Sequence, residues 1–272
     1  MRLGSVVWVV ARMLGAMALL LAPVSAPAAG VCAEVVAKVP APLTRASFRP
    51  QLADESGVVG ITFLGHASFL LTSPAGITAV TDYNGYLRPK DPPDIVTMNH
   101  AHPSHYTDDI DPSIKLVLRG WQTGAEPPNY DVKLGDVRVR NIPTNIRDGQ
   151  GGTEYGGNSI FIFEMGDLCI AHLGHLHHTL TPEHLERLGQ IDVLMAPIDG
   201  AFTLSHEDML EVIGQIHPAL VIPMHYFGRS VLDRFLARVG DRYPVHEFPT
   251  ATIALTRSEL PKSTEIWVLP GF

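Results

Sequence analysis

The stretch "NHAHPSHYTD", residues 99–108, places His100, His102 and His105 close together on one short segment. A buried core rarely needs so many neighbouring imidazoles, and a solvated surface has no reason to cluster them. The other histidines are uneven too. His172, His175, His177 and His178 fall together in "AHLGHLHH", while His66 and His225 each follow a short apolar run, in "LGHASF" and "VIPMHYF". These positions are the ends of predicted strands, where side chains from separate elements can converge. Imidazole is the commonest metal-binding side chain. In an H-x-H pair on an extended segment both side chains leave the same face, so His100 and His102 can grip one ion. Metal binding is the chemistry this pattern suits. His177 and His178 adjoin a predicted helix start and suit solvent equally well. His184, His206, His217 and His246 read as hydrogen-bonded structural residues.

The elements that must hold these groups are short. With 24 glycines and 22 prolines in 272 residues, turns are frequent. After a Pro- and Ala-rich leader, strands are expected over 58–64 and 68–72, paired around Gly65-His66, then over 77–81 and over 95–98, which ends at the histidine cluster. Further strands are expected over 114–118, 132–134, 137–142, 159–164 and 168–172. Helices come later. Thr181-Pro182-Glu183 offers a hydroxyl cap, Pro at the first position and an acid in the first turn, for a helix to Leu188. Ser205 caps a second through Gln215, with Asp208 at its third position, and Ser230 a third through Val239. Strands over 193–196 and 220–223 alternate with them. A β-rich first half and an alternating second half predict two packed sheets, or a sheet sandwich with helices outside, in one domain over 57–272. Gly65 and Gly174 allow the sharp turns that set His66 and His175 at strand ends.

"ITFLGHASFLL", "TDY", "PDIVTMNHAHPSHYTD", "GGNSIFIFE", "CIAHLGHLHHTLTPEHLERLGQIDVLMAPIDG" and "PALVIPMHYF" together resemble the metallo-β-lactamase superfamily over about residues 58–227. They are most similar to its branch of Zn-dependent hydrolases that includes ascorbate-6-phosphate lactonase and N-acyl-phosphatidylethanolamine phospholipase D. The resemblance implies an α/β fold, an αββα sandwich with the metal site at one edge between the sheets. It implies the pattern H-x-H-x-D-H, then a His, an Asp after Gly, and a final His, which hold two metals with a hydroxide between them. His100, His102, His105 and His225 match that pattern. Ser104 stands where the family has Asp, and His175 stands where the bridging Asp follows Gly. By its count before Asn158, Arg147 takes the place of the middle His. His66, Asp82 and His172 fall at positions just behind the ligands.

Two dications about 3.5–4 Å apart repel strongly and are normally held by bridging anions. With both carboxylates replaced, one ion is the natural expectation, held among His102, His105, His175 and His225 with His100 as ligand or neighbour. Neutral imidazoles suit Zn²⁺, and also Cu, Ni or Fe. Ser104 is a poor Zn²⁺ ligand and is expected to orient a bound water or a ligand imidazole. A serine nucleophile would need a G-x-S-x-G setting, which is missing here. Arg147 is expected either to bind an anionic group or oxyanion, or to lie on the edge of the loop "RDGQGGTEYGG" facing solvent.

The reading is a metal-dependent hydrolase of a small-molecule ester, lactone, amide or phosphodiester. The alternative is a non-catalytic metal- or ligand-binding descendant of the same fold. Residues 1–28, with Arg2 and Arg12, an apolar run over 13–22 and Ala26-Pro27-Ala28, read as a secretory signal, followed by a leader over 29–56. The expected location is periplasmic or secreted. The run is short for a span of about 20 residues, so no stable membrane insertion is expected after cleavage. Cleavage removes two arginines and no acid, taking the net charge from −8 to −10. An acidic chain with no basic run does not suit nucleic acid. Cys32 and Cys169, one in the leader and one in a buried strand, are expected to be free thiols.

Overall fold

In a computed structural model describing Cys32 and residues 57–271, the apolar runs form a two-sheet sandwich. The first half supplies β1 (Val59–Gly65), β2 (Ser68–Thr72), β3 (Thr78–Val80), β4 (Ile95–Met98) and β5 (Leu116–Arg119). β6 (Asp131–Leu134), β7 (Val137–Arg147), β8 (Thr153–Met165) and β9 (Leu168–His172) follow as an antiparallel meander. α1 (Pro182–Leu188), β10 (Val193–Pro197), α2 (His206–Ile216), β11 (Leu220–Met224) and α3 (Arg229–Val239) then alternate. β12 (Val245–Glu247), β13 (Thr252–Leu255) and β14 (Glu265–Val268) complete the chain. One sheet has the order β13-β1-β2-β3-β4-β5 and the other β12-β14-β11-β10-β9-β8-β7-β6.

The burial pattern of β1 alternates, and its Val59, Ile61 and Phe63 face Phe161, Phe163, Ile170, Met195 and Ile222 of the second sheet. Each such side chain removed from water stabilises the sandwich by roughly 1.5–3 kcal/mol. β9, β10 and β11 are buried along their whole length, which explains their unbroken apolar runs. Their other face packs under the helices, with Leu194, Ala196 and Val221 beneath Met209, Ile213, Leu232 and Phe235. Thr181 forms the expected cap of α1, accepting from the His184 N–H, and Ser205 caps α2.

The α/β sandwich is present, but among the described residues its helices cover only the eight-stranded sheet. On the other side Val80, Val96 and Met98 are covered by Tyr83, Ile110 and Ile114 from connecting segments. Pro89, Pro92, Pro93, Pro103 and Pro112 interrupt those segments and exclude a helix there. Three further differences are local. The β7–β8 hairpin continues to the pair Arg147↔Thr153, so "RDGQGGTEYGG" is mostly strand rather than loop. α3 starts at Arg229 behind Gly228, not behind Ser230. β12 carries no alternation, being exposed at every residue, and its pattern gave no strand signal.

Cys32 and Cys169 are not free thiols. They form a disulfide across 137 residues, with Cα atoms 5.6 Å apart. Cys169 is buried, but on the face of β9 that meets the helical layer, where Cys32 is buried beside it. Breaking so long a loop closure by Cys32→Ser is expected to cost about 2–5 kcal/mol. The check is the urea midpoint of oxidised wild type against the variant; equal midpoints would contradict a stabilising bond. The expected signal segment, and the leader apart from Cys32, lie outside the described residues. No helix among the described residues is long and apolar enough to cross a membrane.

Candidate metal centre

Six strand ends meet at one edge of the sandwich. β1 ends at the turn carrying His66, β3 runs into Asp82, and β4 runs into the loop of His100, His102 and His105. β9 leads to His175, β10 to Asp199 and β11 to His225. The backbone is strained where these ends converge. His66, Asp82 and His225 have φ of 51°, 42° and 60°, in the left-handed region that non-glycine residues seldom occupy. The His225 N–H donates to the His66 carbonyl at 2.6 Å and ties two of these turns together. Gly174, at φ 62°, could not carry a side chain: a Cβ would lie 2.4 Å from Asn99 Nδ2 and 2.5 Å from Asn158 Oδ1. That close approach lets the His175 N–H donate to Asn158 Oδ1.

The partners of each ring determine where its lone pair points, because carboxylates and carbonyls only accept and backbone N–H groups only donate. His105 Nδ1 donates to Asp82 Oδ2 at 2.6 Å, and His225 Nδ1 donates to Asp199 Oδ2 at 2.9 Å. Both rings therefore present unprotonated Nε2 atoms, and these lie 3.1 Å apart. His175 Nδ1 is 3.1 Å from the same His225 Nε2. His66 is buried, and neither of its nitrogens has a hydrogen-bond partner. Nitrogens of His66, His105 and His225 lie within 4.8 Å of one another. Facing lone pairs and an orphaned imidazole are costly without a cation to share. Tetrahedral Zn²⁺ would hold nitrogens about 3.3–3.4 Å apart, so these residues fit one such ion.

Electrostatics favours the same use. Burial, reinforced by the neighbouring His225, drives His105 and His66 well below the usual imidazole range. Burial, with His105 next, does the same to His175. All three are neutral near pH 7. Burial pushes Asp82 up to about 6, although His172 and the Asn99 N–H oppose the rise. Burial would also raise Asp199, but hydrogen bonds from His225 and Thr203 outweigh it and hold that carboxyl well below its usual range.

The remaining sequence-selected residues lie around this cluster. His100 donates from Nδ1 to the Gly157 carbonyl at 2.8 Å, leaving its Nε2 lone pair free, and its ring stacks 4.9 Å from His175. His102 is exposed, and its Nδ1 lies 2.8 Å from Ser104 Oγ. The Ser104 N–H also donates weakly to that Nδ1, so the serine hydroxyl donates as well and the ring carries its proton on Nε2. His172 is closed off: Nε2 donates to the Ala67 carbonyl and Nδ1 accepts from Gly174. The Arg147 guanidinium donates to the carbonyls of Ala201, Phe202 and Thr203. Its backbone N–H donates to His177 Nδ1 at 2.7 Å, so neutral His177 carries its proton on a buried Nε2 with no acceptor. His178 Nε2 accepts the Asn145 N–H.

Asp199 was not picked out from the sequence. Its Oδ1 accepts the N–H groups of Ala201, Phe202 and Thr203 while Oδ2 holds His225. The available signal was an Asp-Gly turn directly after an apolar strand, in "APIDG".

Residues 60–225 match the family described as "Beta-lactamase superfamily domain". A UPF0173 metal-dependent hydrolase of Anaeromyxobacter dehalogenans is 27% identical over 207 residues, covering 62% of this chain and 75% of that protein. One from Pelotomaculum thermopropionicum is 26% identical over 224 residues, covering 74% and 94%. Among solved structures, a protein described as a Zn-dependent hydrolase of the metallo-β-lactamase superfamily, from Thermotoga maritima, superimposes with a TM-score of 0.59 at 26% identity. That similarity covers 78% of this chain and 98% of that one. A metallo hydrolase from Ignicoccus hospitalis shares the fold, with a TM-score of 0.54 at 19% identity over 73% of this chain and 98% of that one.

Proposed function

The chain belongs to the beta-lactamase superfamily, and we propose that within it this protein is a metal-dependent hydrolase with a single metal ion held by imidazole nitrogens alone. The observation that carries this reading is the pair of Nε2 atoms of His105 and His225, 3.1 Å apart, each backed by a buried carboxylate. His66 and His175 supply the remaining nitrogens, with His100 next to them. Asp82 and Asp199 bring two negative charges behind the rings, enough to balance one dication and too few for two. Zn²⁺ is the ion best suited to this donor set, with other divalent transition metals as competitors.

When bound, the metal supplies Lewis acidity, polarising a scissile carbonyl or phosphoryl group and acidifying water to a pKa near ~7. The protein's own groups do the rest. Asp82 and Asp199 fix the tautomers of His105 and His225 and so aim both Nε2 lone pairs at the ion. His177 packs its ring beside that of His175 and, through the Arg147 N–H, ties β7 to the cluster. Ser104 holds His102 through its hydroxyl. Arg147 acts through the 201–203 loop, which Asp199 also grips, and so keeps His225 in place. The bond cleaved is that of a small-molecule ester, lactone or amide, with a phosphodiester as the competing class.

The signal-like pattern of residues 1–28 and the Cys32–Cys169 disulfide support export to an oxidising compartment. The test of function is protein purified without added metal, assayed for metal per chain and for turnover of chromogenic esters, lactones and phosphodiesters before and after chelation. One metal per chain and turnover lost on chelation are expected. No metal and no chelator-sensitive turnover would contradict the reading.

A further inference from the structure

An open groove of about 600 Å³ adjoins the metal cluster, lined by Phe63, Tyr86, Leu87, Tyr226, Phe227 and Leu269. His66 is shared between the groove and the cluster, and the Phe227 ring stacks on it at 4.4 Å and 22°. A molecule lying in the groove therefore packs beside the His66 ring, at the edge of the cluster. The volume is that of a site for a small organic ligand, which runs about 300–1,000 Å³.

The charges of the groove are already spent on each other. Its lining cation, Arg229, donates to both oxygens of Glu247 at 2.5 and 2.7 Å and to Asp233 at 2.7 Å. Two carboxylates outweigh one guanidinium, so an anionic group meets no free cation there. Neither Arg147, whose Nη2 donates to three backbone carbonyls, nor Arg88, which pairs with Asp109 and donates to the Asn84 carbonyl, lines the groove. The apolar side is the reverse. Tyr86 and Phe227 are 65% and 75% exposed on the groove, and Phe202 and Tyr155 are exposed on segments that carry the Arg147 and His100 contacts. Among the described residues these four make up most of the exposed large hydrophobic side chains. Two exposed aromatics, Tyr86 and Phe227, on the walls of one groove mark a binding surface.

We propose that this groove binds the apolar acyl or aryl part of an uncharged ester, lactone or amide, and that phosphodiesters and other anionic substrates are excluded. The inference rests on the hydrolase reading for its reaction but not for its ligand. Each methylene moved from water into the groove is expected to raise kcat/KM up to about fourfold.

The experiment uses the metal-loaded full chain with p-nitrophenyl acetate, butyrate, hexanoate and octanoate, and with bis-p-nitrophenyl phosphate. Binding is followed separately by the fluorescence of the neutral probe N-phenyl-1-naphthylamine and its displacement by octanamide. The hexanoate-to-acetate ratio of kcat/KM should be at least about tenfold. Tyr86→Ala and Phe227→Ala should each collapse that ratio and weaken probe binding, and neither exposed side chain is needed for folding. Probe binding that both variants weaken, without turnover of any ester, would support the groove while sinking the hydrolase reading. A flat chain-length profile, faster cleavage of the phosphodiester, or probe binding unaffected by either variant would overturn the proposal.

Discussion

His225→Ala is expected to lower Zn²⁺ affinity by about 10²–10³-fold. A four-ligand protein zinc site is worth about 10–16 kcal/mol, so one ligand accounts for roughly 3–4 kcal/mol. His225 is the residue on which the cluster converges. Its Nε2 faces both His105 and His175, and its Nδ1 ties the cluster to Asp199. The substitution also removes one hydrogen-bond donor from Asp199 but leaves the 201–203 N–H groups on it, so the loop keeps its shape. The control is His102→Ala. His102 is exposed and presents a protonated nitrogen, so its loss should change affinity less than about threefold. Competition titration against a chromogenic chelator measures both. A loss for His102→Ala as large as that for His225→Ala would make His102 a ligand, and a larger one would place the ion on the H-x-H pair.

The second large effect concerns metal number. Ser104→Asp combined with His175→Asp is expected to raise bound zinc from one ion per chain to two. Around the cluster the carboxylates are now Asp82 and Asp199, both behind imidazoles rather than among the ligand atoms. Two added carboxylates double the negative charge and place it between the ions, where repulsion at about 3.5–4 Å is otherwise uncompensated. His100, whose Nε2 is free, then becomes a ligand to the second ion. Equilibrium dialysis at saturating zinc gives the count directly. A double variant that still binds one ion would show that something other than missing carboxylates limits the site. If wild type lacks turnover and the double variant gains it, the protein is a non-catalytic descendant of the fold.

Much of this site can be read from the sequence, because ligand types and strand-end placement are both local. β2, β4 and β9 coincide with their apolar runs, and His105, His175 and His225 meet as their strand ends suggest. What the sequence hides is pairing. Asp199 and His225 are 26 residues apart and meet only because β10 and β11 lie parallel and end together. The same holds for Cys32 with Cys169, whose contact depends on which face of β9 turns outward. Tautomers are hidden for a related reason. His102 and His105 are three residues apart, yet one contacts a serine and the other a buried carboxylate. Arg147 shows the limit of alignment by counting. The count puts it at a ligand position, while the extension of β7 carries its guanidinium to the 201–203 carbonyls. His66 falls just behind the ligands by resemblance, whereas the left-handed turn at its backbone brings it in among the nitrogens.

The most direct test of a single all-imidazole metal is anomalous scattering at the zinc edge from crystals of zinc-loaded wild-type protein. The account predicts one peak, against the Nε2 atoms of His105 and His225, with His66 and His175 as the nearest other nitrogens. Two peaks about 3.5–4 Å apart, or one peak at His100 and His102 with none at His105, would contradict it.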